Sequence, residues 1–156
     1  MSKKIWRTDK RLQGVLHPEN HDEVKVWVYN GSFRMTATRP ETVRVRITKA
    51  KGDMYYGMIL DQPGQVTAVN KGDEIAFKPL QNSYPVMLAP KYLQERESWQ
   101  VHPCHQCGFE DLFDAPSDLI AEIFHTTAQQ ITMFSTICPL CGGVQAVQHK
   151  LAVATV

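Results

Sequence analysis

In Thr42-Val43-Arg44-Val45-Arg46-Ile47-Thr48-Lys49, the apolar Val43, Val45 and Ile47 alternate with Arg44, Arg46 and Thr48, the period-two pattern of a half-buried strand. Lys51-Gly52-Asp53 then reads as a turn, and residues 54–60 run back as a second strand. Gly57 interrupts that strand and predicts a bulge or a close backbone approach. Asp61-Gln62-Pro63-Gly64 is a further turn, with Pro and Gly where such turns use them. Residues 65–69 and 74–78 read as short strands separated by Asn70-Lys71-Gly72-Asp73. Upstream, Val24, Val26 and Val28 alternate with Lys25, Trp27 and Tyr29. Asn30-Gly31 comes next, a strong hairpin signal, so residues 32–38 are expected to return as the partner strand. Several short strands at this spacing predict a small antiparallel β-barrel or a strongly bent sheet.

The flanks are less regular. Residues 1–22 are polar and basic, with Lys3, Lys4, Arg7, Lys10 and Arg11 close together, and are expected to form an arm. Residues 79–100 hold three prolines and no clear period. They are expected to connect the β region to the cysteine-bearing segment and to pack Tyr84, Tyr92 and Trp99 against the sheet. The expected domain boundaries are an arm over 1–22, a β-rich domain over 23–100 and a cysteine-bearing module over 101–156.

At 156 residues with 43% hydrophobic and 21% charged residues, the chain can build a core of its own. No apolar run has the length of a secretory signal or a membrane span, so a cytoplasmic location is expected, where paired cysteines suggest metal rather than disulfide. The net charge of +1 is unevenly spread. Residues 101–156 contain Lys150 as their only Lys or Arg, against Glu110, Asp111, Asp114, Asp118 and Glu122.

The run Val43-Arg-Val-Arg-Ile47, then Tyr56-Gly57-Met-Ile-Leu60-Asp61-Gln-Pro63, then Val66, Val69 and Lys71-Gly72-Asp73-Glu74-Ile75-Ala-Phe77 resembles the YegJ-like domain-of-unknown-function family 2314. The resemblance spans residues 43–79 and rests mostly on turn residues. It implies a small β-rich fold in which Gly57, Pro63 and Gly72 are structural positions, and it carries over no catalytic residue.

The four cysteines lie outside that stretch. Cys104-His-Gln-Cys107-Gly108 and Cys138-Pro-Leu-Cys141-Gly142-Gly143 are two C-x2-C knuckles, and they use every cysteine in the chain. In each, a tight turn aims two sulfurs at one point, and the glycine after the second cysteine closes it. Two knuckles predict one tetrahedral, all-sulfur site for a single structural zinc held by Cys104, Cys107, Cys138 and Cys141, with iron the main competitor. His102 and His105 flank the first knuckle and are expected as surface or supporting groups. Between the knuckles, Asp114 is expected as the N-cap of a helix with Pro116 in its first turn. Leu119, Ile120, Ile123 and Phe124 share one face of that helix. Residues 131–137 and 144–148 then read as strands entering and leaving the second knuckle. The fold class is therefore α+β, mainly β, ending in a zinc-ribbon-like module that contains one helix.

Catalytic signatures are sparse. His17-Pro18-Glu19 and Pro103-Cys104-His-Gln-Cys107 match the letters of the zinc nucleobase deaminase motif, but 83 residues separate Glu19 from Pro103, and the second knuckle would be left without a role. A four-cysteine site has no open position for water or substrate. The expectation is thus a non-enzymatic binding protein working through protein–protein contact, such as an adaptor or an immunity protein facing a basic toxin. The alternative is nucleic-acid binding on the β face, with Arg44, Arg46, Lys49, Lys51 and the basic arm meeting phosphates and Trp27 and Tyr29 stacking on bases.

Overall fold

The computed structural model describes residues 4–81, 83–126 and 131–150; Lys3, the first base of the expected arm, lies outside them. Eight strands and two helices are described, so the chain is mainly β. It divides into two compact units. One comprises Met1–Asn30 and Thr36–Leu88, the other Gly31–Met35 and Ala89–Val156.

The first unit is a closed barrel of five strands in the order β1-β2-β3-β4-β5. These are β1 (Glu23–Val28), β2 (Glu41–Lys51), β3 (Met54–Ile59), β4 (Glu74–Leu80) and β5 (Ser83–Leu88). Consecutive strands pair antiparallel, as the alternation predicts, and β1 closes onto β5 through a parallel pairing at Trp27 and Val86. The apolar residues of each alternating run turn inward: Val24, Val26, Val28, Val43, Val45 and Ile47 are all buried, each such side chain stabilising the fold by about 1.5–3 kcal/mol over exposure.

At Gly57 the expected close approach is present. A Cβ there would lie 2.5 Å from Val45 Cγ1 and 2.6 Å from the Arg46 carbonyl oxygen. Gly57 pairs with Ile47, and the β2–β3 register shifts between Ile47 and Lys49. The inserted residue bends the ladder where the barrel must curve.

Several expectations are corrected. Asn30-Gly31 does not turn a hairpin, and neither residue has positive φ. The Asn30 side chain instead accepts hydrogen bonds from the backbone N–H groups of Thr67 and Ala68 (2.9 and 2.8 Å), and β1 pairs with β2 rather than with residues 32–38. Residues 65–69 form no strand. Their backbone donors are already taken, since the Glu41 carboxylate accepts from the N–H groups of Gly64, Gln65 and Val66 at 2.6–2.9 Å, while Val66 and Val69 are buried.

Nor do residues 79–100 form a plain connection. They supply the end of β4, β5, a helix α1 (Pro90–Arg96) and a strand β6 (Trp99–Val101). Two prolines hide the strands from period counting. Pro79 sits where the β4–β5 register shifts between Lys78 and Leu80, and Pro85 falls in the gap between the paired Ser83 and Val86. Proline is tolerated at such breaks because no ladder hydrogen bond is required of it.

The N-terminal segment is also more than a solvated arm. Two short 3-10 turns, Ile5–Thr8 and Lys10–Leu12, bury Trp6 and Leu12 almost completely. Trp6 packs edge-on against Tyr55 at 6.4 Å, and Tyr55 in turn meets Phe77. Asp22 gathers the segment from the other side, accepting from Lys4 Nζ, Trp6 Nε1 and the Arg7 guanidinium at 2.8–3.0 Å.

The second unit contains a three-stranded sheet in the order β6-β8-β7, with β7 spanning Met133–Ile137 and β8 spanning Val144–His149. Its helix α2 runs Pro116–Phe124, with Pro116 at the first turn, where a missing N–H costs nothing. Leu119 and Ile120 are buried, but Phe124 is exposed. Asp114 does not cap the helix: the cap position is Ala115, without a side-chain hydrogen bond. The Asp114 carboxylate accepts instead from the backbone N–H of Ser32 at 3.2 Å, which draws Gly31–Met35 into this unit. Burial pushes the Asp114 carboxyl above its ordinary range, against that hydrogen bond. A second buried acid, Asp111, accepts from Tyr92 Oη at 2.7 Å and pairs with Arg96 Nε at 3.0 Å, which meets the cost of burying its charge.

Candidate metal centre

The two knuckles are built alike. In the first, Cys104 N–H donates to the Phe109 carbonyl and Gly108 N–H returns to the Cys104 carbonyl, both at 2.9 Å. In the second, Cys138 N–H donates to the Gly143 carbonyl (2.6 Å) and Gly142 N–H to the Cys138 carbonyl (3.0 Å). Gly108 and Gly142 both have φ of +81°, a left-handed conformation that glycine adopts without strain. In each knuckle a backbone N–H also faces a sulfur: Gln106 N toward Cys104 Sγ and Gly143 N toward Cys141 Sγ, each at 3.4 Å.

Together the knuckles bring all four sulfurs within 4.8 Å of one another. Between the knuckles, Cys104 Sγ lies 3.4 Å from Cys141 Sγ and Cys107 Sγ 3.6 Å from Cys138 Sγ. A tetrahedral ion with metal–sulfur bonds of about 2.3 Å has sulfurs about 3.8 Å apart, so this set can hold one metal ion. Cys104 and Cys138 are buried, while Cys107 and Cys141 face outward.

The protein's own environment does not favour four thiolates. Burial pushes Cys138 up to about 12 and raises Cys107 as well. At Cys104 burial acts the same way but is outweighed by the N–H groups of Cys107 and Gln106, which hold it down to about 6. A divalent cation among the sulfurs reverses this balance, because each thiolate then has a positive partner. Among the described residues, these four cysteines form the only group of three or more potential ligands with this spacing.

The histidines stand aside. His102 Nε2 lies 3.4 Å from Gln148 Oε1, and the His105 backbone N–H reaches the Val144 carbonyl at 3.3 Å. Neither belongs to the ligand cluster. In the other expected deaminase motif, His17 Nδ1 accepts from the backbone N–H of Glu19 at 3.1 Å, a local turn contact.

Several bases of the expected basic surface are ion-paired. Arg44 lies 2.8 Å from Asp61 and 3.5 Å from Glu23. Lys49 sits over the Tyr56 ring at 4.8 Å, with Glu74 at 3.9 Å. Lys4 and Arg7 are held by Asp22, and Arg11 by Asp9. Tyr29, expected beside Trp27 as a stacking ring, is 1% exposed and donates its hydroxyl to the Met87 carbonyl at 2.6 Å. It lies just past the end of β1, so the alternation no longer fixes its direction. Lys10, Lys25, Arg46 and Lys51 are exposed, with Trp27 half-buried on the same strand pair as Lys25 and Arg46.

Sequence reasoning missed the outer surface of the β6-β8-β7 sheet. Met133, Ile137 and Val144 are 61%, 54% and 54% exposed, and Leu140 in the second knuckle is 40% exposed. The signal was present in the sequence, since both parities of Met133-Phe134-Ser135-Thr136-Ile137 contain apolar residues.

No helix among the described residues is long and apolar enough to cross a membrane. No family model matches the chain, and neither any curated protein nor any solved structure does. The expected likeness of residues 43–79 to the YegJ-like family therefore has no support from these comparisons.

Proposed function

We propose that this chain is a zinc-stapled binding module that acts through protein–protein contact rather than catalysis. The observation that carries the proposal is the closed set of four sulfurs within 4.8 Å. Four thiolates fill a tetrahedral ion completely, leaving no position at which a substrate or water could be activated. The soft all-sulfur donor set favours zinc, and ligation substitutes for the large core that a unit of this size lacks. An adaptor or an immunity protein fits this make-up.

Nucleic-acid binding has less support, because Arg44, Lys4, Arg7 and Arg11 are already ion-paired and a phosphate would have to displace those carboxylates. Two measurements test the proposal together: the metal content of the purified full chain, and binding of a labelled single-stranded RNA as salt is raised. One zinc per chain and no salt-sensitive RNA binding is the expected result. An affinity for RNA that falls steeply with salt, and weakens in Arg46→Ala, would transfer the function to the β face.

A further inference from the structure

Each knuckle turns one sulfur outward and one inward. Cys107 and Cys141 are exposed, whereas Cys104 and Cys138 are buried. Across the knuckles, each exposed sulfur touches a buried one: Cys141 Sγ lies 3.4 Å from Cys104 Sγ, and Cys107 Sγ lies 3.6 Å from Cys138 Sγ. Gly143 and Gln106 crowd the Cys104 sulfur, so a reagent arriving from solvent meets Cys141 first. An accessible thiolate with a second sulfur in contact behind it is the arrangement that redox-active cysteine pairs share.

We propose that the centre is also a peroxide-responsive switch, in which two disulfides across the knuckles, Cys104–Cys141 and Cys107–Cys138, replace the metal as the staple of the second unit. The proposal rests on the zinc staple inferred above. The exposed sulfurs start the reaction. The Cys141 thiolate attacks one oxygen of hydrogen peroxide, the O–O bond breaks and hydroxide leaves, giving a sulfenic acid. The Cys104 thiolate then attacks that sulfenic sulfur, the S–O bond breaks and a second hydroxide leaves. Two thiolates have lost two electrons, one peroxide has gained them, and two protons from solvent turn the hydroxides into water. A second peroxide joins Cys107 to Cys138 in the same way. Disulfide sulfurs lack the negative charge that holds a divalent cation, so the ion is released.

Charge selects the oxidant. Residues 101–149 contain no Lys or Arg, and Glu110, three residues beyond Cys107, is exposed. Such a surface repels an anionic oxidant such as glutathione disulfide and leaves a small neutral peroxide unhindered. The pairing decides what becomes of the fold. Disulfides within each knuckle would leave the two knuckles untied. Bonds across them close loops of 37 and 31 residues, restraining the same two segments that the ion joins.

Peroxide titration of the full chain tests this, with metal content measured beforehand. Zinc release is read by a colorimetric indicator, and the disulfides are mapped by mass spectrometry of non-reduced digests. Two peroxides are expected to release one zinc and to give Cys104–Cys141 and Cys107–Cys138. Dithiothreitol with added zinc is expected to restore the loaded form. Glutathione disulfide at the same concentration is expected to release zinc at least tenfold more slowly. A zinc-loaded chain that keeps its metal and its thiols under peroxide overturns the switch and leaves the staple standing. Disulfides confined to Cys104–Cys107 and Cys138–Cys141 overturn the assigned pairing, and equal rates with the two oxidants overturn the selection by charge. A chain that neither holds nor takes up zinc overturns staple and switch together.

Discussion

Gly143 and Cys104 belong to different knuckles, yet a Cβ at position 143 would lie 2.8 Å from Cys104 Sγ and 3.0 Å from Gln106 Cβ. The second knuckle can close over the first only because residue 143 has no side chain. Replacing Gly143 by Ala should displace one knuckle from the other by a few tenths of an ångström, enough to spoil tetrahedral ligation. The expected outcome is faster metal loss to a chelator than in the wild type, read by a colorimetric zinc indicator, with unchanged barrel stability. A wild-type rate of loss would show that the knuckles tolerate the displacement.

A comparable constraint acts in the barrel. Gly57→Ala would set a methyl group 2.5 Å from Val45 Cγ1 and 2.6 Å from a backbone oxygen, and the backbone oxygen cannot rotate away. Overpacking of this kind costs about 1–3 kcal/mol or more. Urea unfolding of the barrel should move to a lower midpoint, whereas an unchanged midpoint would mean that β2 and β3 separate more freely than their pairing implies.

Acid should loosen the N-terminal segment. The Arg7 guanidinium, with Lys4 and Trp6, holds the Asp22 carboxyl well below the usual carboxylate range against a smaller effect of burial. Burial would raise Asp9, but the hydrogen bonds from Arg11 and Tyr55 outweigh it and hold its carboxyl down to about 2. Both carboxyls are depressed in the folded state. Their stabilisation is therefore fully present above the unfolded pKa near 4 and is lost as pH falls through the folded value. Trp6 fluorescence should report progressive release of the segment as pH falls below about 4. Asp22→Asn, which removes the carboxylate charge from these solvent-exposed pairs, should destabilise the unit modestly at pH 7, by about 1 kcal/mol or less, and flatten that acid dependence. An acid profile identical to wild type would show that Asp22 is not the group being titrated.

Cys138→Ser tests whether the metal stabilises one unit or the whole chain. Loss of a buried ligand should unfold the second unit, since binding free energy is folding free energy in such modules. Amide hydrogen exchange is expected to rise across β6, β7, β8 and α2, while protection in β2 and β3 persists. Loss of protection in both units alike would mean that they fold as one.

What was legible in the sequence was what neighbouring residues decide among themselves. Val43, Val45 and Ile47 announce a strand by alternation, and each C-x2-C-G knuckle is settled within five residues. What escaped was decided by partners distant in the chain. Asn30-Gly31 is a hairpin signal locally, but Thr67 and Ala68 claim the Asn30 carboxamide. Residues 65–69 look like a strand until Glu41, more than twenty residues earlier, takes their donors. Asp114 has the chemistry of a helix cap, yet its carboxylate is spent on Ser32. In the basic arm, Trp6 and Leu12 were the overlooked signal, because large apolar residues rarely sit in a segment that stays in water.

The central claim is that Cys104, Cys107, Cys138 and Cys141 bind one zinc ion as a closed set of four thiolates. The most direct measurement is metal stoichiometry on the purified chain by elemental analysis, paired with cobalt substitution to read the ligand set from its absorption. One zinc per chain is expected, with a cobalt form showing tetrahedral all-sulfur ligation. A chain that purifies without zinc and does not take it up, or a cobalt spectrum with fewer than four sulfurs, would contradict the account.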